Sequence, residues 1–264
     1  GWIGTLTHFS LAEGYWLIMN SSADFQIQSC DAPASSLVYN LEEGPNLISY
    51  PDPGSTNVSE AIPDDIEHLF AAIITNGYAT MNTDNGWIGS ITSLTGGLGY
   101  WVIVEEDLSF SYDLNSTIGR TKVEAYTEIL PVDSYFKVSH SSEQAFYFVD
   151  QIDLLDGIIA DGDWLLSYNG SVITGIRQWQ GNIIDIPAMG DDGQDYSTGY
   201  LIEGDIPTLK LLKQTTGEII DLEGNIPAWT SNGLFTISGL SEVKPLPVEF
   251  GLESAYPNPF NPTT

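Results

Sequence analysis

Two stretches decide the fold: residues 1–27 read GWIGTLTHFSLAEGYWLIMNSSADFQI, and residues 86–112 read GWIGSITSLTGGLGYWVIVEEDLSFSY. They align from end to end without a gap, and the GWIG and GYW segments recur at matching positions. An internal repeat of this kind predicts that the chain is built from copies of one supersecondary unit. Because the first copy stands at the very start, we expect residues 1–31 to be the C-terminal part of a truncated repeat unit.

The pattern around the repeats predicts β structure throughout. Each GYW segment opens a short run of aromatic and β-branched residues, which is typical of a buried strand. Further short strands follow at regular spacing, with tight turns at Asn76-Gly77 and Asn169-Gly170. We therefore predict an all-β fold, in which tandem small β domains, each a repeat unit with one or two short helices, precede an antiparallel β-sandwich.

The predicted domain limits follow from shifts in composition. After residues 1–31, a complete repeat unit is expected over 32–119 and the β-sandwich module over 120–243. Residues 244–264 begin with Lys-Pro-Leu-Pro, which is typical of a semi-rigid linker.

Two local predictions concern the complete repeat unit. The strand at 100–104 is predicted to form a hairpin with the alternating run at 108–112, and the first copy is predicted to do the same. Ser59 is predicted to cap a short helix, and Pro63 to begin a second one.

Charge narrows the range of functions. The chain has 36 Asp and Glu against 7 Lys and Arg, a formal net charge of −29. Such a surface repels phosphate backbones, which excludes nucleic-acid binding and disfavours anionic membranes. No apolar run reaches the roughly 20 residues that span a bilayer. Two interpretations of the acidity stay open: solubility in a salty medium, or binding of divalent cations.

Cysteine and histidine content argues against catalysis. Cys30 is the single cysteine, so a disulfide scaffold within the chain is excluded. His8, His68 and His140 carry no recognisable catalytic signature, and no G-x-S-x-G segment occurs. With no nucleophile and base in a known arrangement, we predict that the protein is not an enzyme.

The C-terminal residues carry a resemblance to a known family. Residues 256–262 read YPNPFNP, which resembles the opening of the C-terminal sorting domain of the type IX secretion system. The resemblance implies that residues 244–264 are a linker and the start of such a domain. It also implies export to the exterior or the cell surface of a Gram-negative bacterium. A similar opening occurs in an immunoglobulin-like domain of flagellar hook-cap type.

Two other segments resemble modules of secreted bacterial proteins. The segments PNLISYP at 45–51, GWIG at 86–89 and GYW at 99–101 resemble a repeat found in long secreted proteins of the same bacteria. Residues 135–240 resemble another such module through QAFY at 144–147 and GIRQW at 175–179. Both resemblances imply a location rather than a chemistry.

Three tryptophans of the sandwich module are candidates for sugar binding. Trp164, Trp179 and Trp229 could form a stacking platform for carbohydrate, whereas the repeated aromatic residues favour core packing by their fixed register. Packing of all these aromatic residues inside the core is the alternative interpretation.

Five aspartates are candidates for metal binding. Asp161, Asp163, Asp191, Asp192 and Asp195 lie near flexible glycines, and clustered carboxylates of this kind are suited to Ca²⁺. Their spacing does not match an EF-hand, and a zinc site lacks the required His and Cys cluster. Calcium is thus the candidate cofactor, and solvated acidic turns are the alternative.

These observations lead to one functional prediction and one alternative. The prediction is a non-catalytic, secreted structural or adhesive protein of the cell surface, such as a filament or sheath subunit, from the C-terminal part of a larger exported chain. Its expected partners are further copies of itself or a neighbouring surface protein, with neither nucleic acid nor membrane insertion. The alternative is a carbohydrate-binding accessory region of a secreted hydrolase, with glycans as partners.

Overall fold

A computed structural model describes residues 5–17, 37–52, 54–114, 136–181 and 183–244. Over these residues the fold is all-β, as predicted, and its strands form a repeat module (37–114) and a sandwich module (136–244). The GWIG segment of the first copy, Cys30 and the predicted boundaries near residues 31 and 119 lie outside the described residues. None of the described helices is long and apolar enough to cross a membrane.

The repeat module is organised around one antiparallel sheet. Its strands are β1 (Tyr39–Leu41), β2 (Gly44–Ser49), β3 (Ser55–Asn57), β4 (Phe70–Thr75), β5 (Tyr78–Thr83), β6 (Gly86–Gly89), β7 (Ser93–Thr95), β8 (Gly99–Val104) and β9 (Leu108–Phe110). The main sheet has the order β2-β8-β4-β5-β6, and β1 with β9 and β3 with β7 form two small pairs. GWIG is therefore the edge strand β6, and GYW opens the inner strand β8.

Strand β8 is apolar on both faces, and its two faces have different neighbours. Tyr100, Val102 and Val104 alternate with partly buried residues and pack into the core of the repeat module. Trp101 and Ile103 point the other way, towards the sandwich module. Alternation along a strand places successive side chains on opposite faces, so the GYW tyrosine and tryptophan contact different layers.

Residues 12–14 of the first repeat copy lie along the outer edge of β2. Gly14 N–H donates to Leu47 O at 3.1 Å, Ser49 N–H donates to Ala12 O at 3.4 Å, and Glu13 forms an isolated antiparallel bridge with Ile48. Strand β2 thus has β8 on one edge and the first-copy segment on the other. This contact covers backbone groups that an edge strand would leave open.

Two predictions for the repeat module are wrong. Strand β8 pairs with β2 and β4, and β9 pairs with β1, so 100–104 and 108–112 form no hairpin. The helix α1 (Val58–Ala61) has Asn57 at its N-cap position, and Ser59 lies inside it; the next helix is a 3₁₀ turn that begins at Glu67 rather than at Pro63. Strands β2 and β4 occupy both edges of β8, so no edge is left for the run at 108–112.

The sandwich module contains two sheets. Its strands are β10 (Gln144–Val149), β11 (Ile152–Asp153), β12 (Trp164–Asn169), β13 (Val172–Gln178), β14 (Ile184–Met189), β15 (Thr208–Leu212), β16 (Ile219–Glu223), β17 (Leu234–Ile237) and β18 (Leu240–Glu242), with a 3₁₀ turn at Asp195–Ser197. One sheet has the order β14-β10-β17 and the other β11-β18-β16-β15-β12-β13. The predicted hairpin at Asn169-Gly170 is confirmed by the β12–β13 pairing. Two pairings, β10 with β17 and β11 with β18, are parallel, so the sandwich is mostly antiparallel.

The small sheet of the sandwich module has both faces covered. From β10, Tyr147 packs into the core between the two sheets of this module, whereas Phe146 and Phe148 pack against the repeat module. Every residue of β10 and β14 is buried. The two modules therefore stack as three β layers, with the β14-β10-β17 sheet in the middle.

Candidate functional site

The junction between the two modules is held by a buried ion pair. Arg177 on β13 and Asp185 on β14 lie 2.9 Å apart between Nη2 and Oδ2, and their side chains are 10% and 0% exposed. Arg177 Nε also donates to the backbone oxygen of Asp185 at 2.9 Å. Both charges belong to the sandwich module, so the ion pair itself does not cross the junction.

The same two side chains hydrogen-bond to the repeat module. Arg177 Nη2 donates to Gly77 O in the β4–β5 turn, and the guanidinium lies 4.5 Å from the centre of the Tyr78 ring. Asp185 accepts from Ala79 N–H at 3.2 Å, from Ser90 N–H at 2.6 Å and from Ser90 Oγ at 2.9 Å. These bonds make docking specific, because another arrangement of the modules would leave buried hydrogen-bonding groups of Arg177, Asp185 and the turn without partners.

Gly77 fits this junction because it has no side chain. It adopts φ +76°, and a Cβ atom there would lie 2.6 Å from His140 Cε1. Its N–H donates to Gln144 Oε1 at 3.2 Å, and Gln144 is fully buried. The turn can therefore enter the sandwich module only with glycine at this position.

An apolar cluster surrounds the polar contacts. Its fully buried members come from both modules, and partly buried residues pack around them. The members are Ile74 and Ala79 with Phe146 and Phe148, packed against Met81, Ile88, Trp101, Ile103, Ile183 and Leu234. Apolar burial supplies most of the stabilisation at such a contact, and the ion pair supplies orientation.

Burial sets the ionisation of Asp185. Removal from water raises the pKa of this carboxyl above its ordinary value, while Arg177 and the hydrogen bonds from Ser90 act to lower it. Desolvation is the larger influence, as expected for a carboxylate with no exposed surface. Burial of the charged Asp185 therefore costs desolvation free energy, which the surrounding packing offsets.

A cleft of about 190 Å³ opens beside the ion pair. The repeat module contributes Gly77, Tyr78 and Ser90 to its wall. The sandwich module contributes aromatic, amide and aliphatic side chains. They include Val138, His140, Trp164, Ile176, Arg177, Gln178, Gln180, Pro187 and Met189. Clefts at domain junctions with a few converging polar groups are common ligand sites.

The three candidate tryptophans lie in the core rather than on an exposed platform. Trp164, Trp179 and Trp229 are 3%, 7% and 4% exposed. Trp164 Nε1 donates to Gln214 Oε1 at 2.8 Å, and Trp229 Nε1 donates to Ala188 O at 2.9 Å. Trp164 lines the junction cleft, whereas Trp179 and Trp229 pack in the core of the sandwich module.

The first group of candidate metal ligands consists of one buried and one exposed aspartate. Asp163 is 2% exposed and accepts from Lys213 Nζ at 3.0 Å and from Gln214 N–H at 3.0 Å. Its negative charge is therefore already balanced by a lysine. Asp161 is exposed.

The second group of candidate ligands forms a hydrogen-bonded turn. Asp192 accepts from Ser197 Oγ at 2.7 Å and from Tyr196 OH at 2.8 Å, and Asp191 accepts from Gly193 N–H at 2.8 Å. Burial alone would raise the pKa of Asp192. The hydrogen bonds that Asp192 accepts from Ser197, Tyr196, Ser142 and Gln194 lower this pKa to about 2. Asp195 is exposed in the following 3₁₀ turn. The described part of the chain holds no group of three or more His, Cys, Asp or Glu placed to bind a metal ion.

The residues of the junction had a weak signal in the sequence. Arg177 and Asp185 are charged residues inside strand patterns, and Arg177 belongs to the GIRQW segment. The runs 144–149 and 184–189 are nearly continuous in apolar residues, which is typical of strands covered on both faces. What the pattern did not indicate is the partner, since Ser90 lies 95 residues from Asp185.

Comparison with protein-family models, curated proteins and solved structures finds no match to this chain.

Proposed function

We propose that this protein is a non-catalytic structural or adhesive component of the cell surface of a Gram-negative bacterium, working as a filament or sheath subunit. The observation that carries the proposal is the junction, where two β modules are joined through buried charge and a shared apolar cluster. A joined pair of modules transmits load and keeps its binding surfaces in a constant orientation. Pairs of domains with small polar contacts move relative to one another instead.

The acidic composition supports the same proposal. A net charge of −29 keeps copies apart at low ionic strength and lets them approach when salt or divalent cations screen the charge. Assembly controlled by the ionic medium suits a surface protein that is exported before it polymerises.

Electron microscopy of the purified chain tests this proposal. Across a series of salt and calcium concentrations, we expect ordered filaments or sheets above a threshold of ionic strength. Arg177→Leu should prevent ordered assembly because it breaks the junction. Lys210→Leu, which removes a partly exposed ion pair with Asp221 away from the junction, is the matched control and should assemble normally. Monomers of the unaltered chain under every condition would contradict the proposal.

The alternative function is a carbohydrate-binding region of a secreted hydrolase. The observation that favours it is the cleft, where Trp164 lies with the amide side chains of Gln178 and Gln180. A glycan array separates the two functions, because a structural subunit needs no glycan ligand.

A further inference from the structure

We propose that the junction cleft binds one neutral sugar ring. The proposal gives a ligand class to the alternative function above and does not depend on filament assembly. Four properties of the cleft support it: its size, its lining, its charge and its position between two modules.

The size of the cleft suits a single ring. Its volume is about 190 Å³, which corresponds to the space of about six water molecules at roughly 30 Å³ each. Clefts that enclose drug-sized molecules begin at about 300 Å³. A peptide segment or a stacked pair of rings is therefore too large, and a monosaccharide unit at the end of a glycan is of the right order.

The lining combines aromatic surface with groups that both donate and accept hydrogen bonds. Trp164, which is 3% exposed, and the partly buried Tyr78 both line the cleft and make part of its wall apolar. Gln178 and Gln180 each carry an amide that can donate and accept, and Gln178 Nε2 also donates to Gly162 O at 3.4 Å. The Ser90 hydroxyl donates to Asp185 Oδ2, so towards a ligand it can only accept. Each hydroxyl of a sugar both donates and accepts hydrogen bonds, so a sugar site needs donors and acceptors side by side. Gln180 is exposed and Gln178 is partly buried, so both amides can reach a ligand without disturbing the core.

Charge favours a neutral ligand. Arg177 lines the cleft, but its guanidinium is already engaged by Asp185, by Gly77 O and by the Tyr78 ring. The surrounding protein has a net charge of −29, and a field of that sign repels anionic sugars.

Because the cleft lies between the two modules, ligand binding should be measurable as an increase in protein stability. Because Tyr78 and Ser90 belong to the repeat module and Trp164 to the sandwich module, an occupant contacts both. A ligand that binds only the docked form stabilises it, and the stabilisation grows with the logarithm of the ligand concentration above Kd. Sugar binding should therefore raise the melting temperature, and a monosaccharide is expected to bind with a millimolar Kd.

The experiment uses the full chain and a panel of methyl glycosides of glucose, galactose, mannose and N-acetylglucosamine, with glucuronic acid as the charged comparison. Saturation-transfer NMR detects binding, and a thermal-shift titration measures stabilisation. The test variant is Gln178→Ala/Gln180→Ala. Gln194→Ala, an exposed glutamine outside the cleft, is the matched control.

We expect at least one neutral glycoside to bind, with at least a tenfold loss of affinity in the double variant and none in the control. Absence of binding to every neutral glycoside would overturn the proposal. Equal binding by the double variant, or binding of glucuronic acid alone, would overturn it too. Any of these results leaves the filament proposal standing, since that one is decided by microscopy.

Discussion

The two copies of the GYW segment share a sequence and a local hydrogen bond but differ in burial. In the first copy Tyr15 OH accepts from Ser10 N–H at 2.7 Å, and in the second Tyr100 OH accepts from Thr95 N–H at 2.8 Å. Both bonds span five residues and join matching repeat positions. Tyr100 is nevertheless fully buried, whereas Tyr15 is only partly covered.

The difference lies in the neighbouring strands. Strand β8 pairs with β2 on one edge and β4 on the other, and Trp101 packs against the sandwich module. The described residues of the first copy have backbone hydrogen bonds with the outer edge of β2, and Trp16 is 36% exposed. The repeat sequence thus specifies a loop closed by a tyrosine, and its surroundings decide whether that loop becomes part of a core.

The largest expected effect separates the two tyrosines. Tyr100→Ala should lower the free energy of unfolding by about 3–5 kcal/mol, because it removes a fully buried ring. Tyr15→Ala should cost about 1 kcal/mol, the value of its hydrogen bonds. Urea titration of both variants measures the two values, and equal losses would show that the first copy is buried in solution.

The next largest effect is expected at the junction between the two modules. Arg177→Leu should lower the free energy of unfolding by about 3 kcal/mol, because Asp185 is left buried and uncompensated. The double variant Arg177→Leu/Asp185→Leu should recover part of that loss. Chemical denaturation gives the values, and Lys210→Leu, which removes a partly exposed ion pair, serves as the control. A double variant weaker than the single one would contradict the account of the junction.

Alanine substitution of the two tryptophans should change stability by amounts that differ less than those for the two tyrosines. Trp101→Ala should cost about 2 kcal/mol, because Trp101 is partly buried against the junction cluster. Trp16→Ala should change stability by at most about 0.5 kcal/mol. Thermal and urea unfolding test this pair, and a large effect at Trp16 would mean that the first copy is covered by further contacts.

The shared hydrogen bond should give the same small effect in both copies. Tyr15→Phe and Tyr100→Phe each remove only the hydroxyl, so each should cost about 1 kcal/mol. Unfolding measurements on the two variants test this directly. The losses in free energy of unfolding should be equal for the two phenylalanine variants and unequal for the two alanine variants. A clear difference between the phenylalanine variants would mean that the bond is not a local property of the repeat.

The smallest expected effect is a pH dependence outside the repeats. The pKa of Asp192 falls from 3.8 to about 2 in the folded protein, so its contribution to stability is complete above pH 3.8 and is lost as pH falls towards 2. Asp192→Asn should flatten the stability profile over that interval and leave the gap between Tyr100→Ala and Tyr15→Ala unchanged. Urea midpoints measured against pH test both statements, and an unaltered profile would contradict them.

Part of the candidate site could be predicted from the sequence. The Asn76-Gly77 turn, the strands around it and the buried character of 144–149 follow from local pattern. The sequence offered the three tryptophans as a stacking platform for carbohydrate, with core packing as the alternative, and their indoles are buried. Whether an aromatic ring faces a core or a solvent surface depends on which layer covers it, and alternation within one strand does not show this.

The sequence by itself determined the strand pattern and the tyrosine-closed loop, because both depend on residues a few positions apart. The tertiary structure decided the pairing of β8, the third β layer and the junction, because these join residues far apart in the chain. Asp185 reaches Ala79 across 106 residues, and Gln144 reaches Gly77 across 67. Contacts of that range depend on the shape and charge of two complete surfaces, and those surfaces exist only once each module has folded.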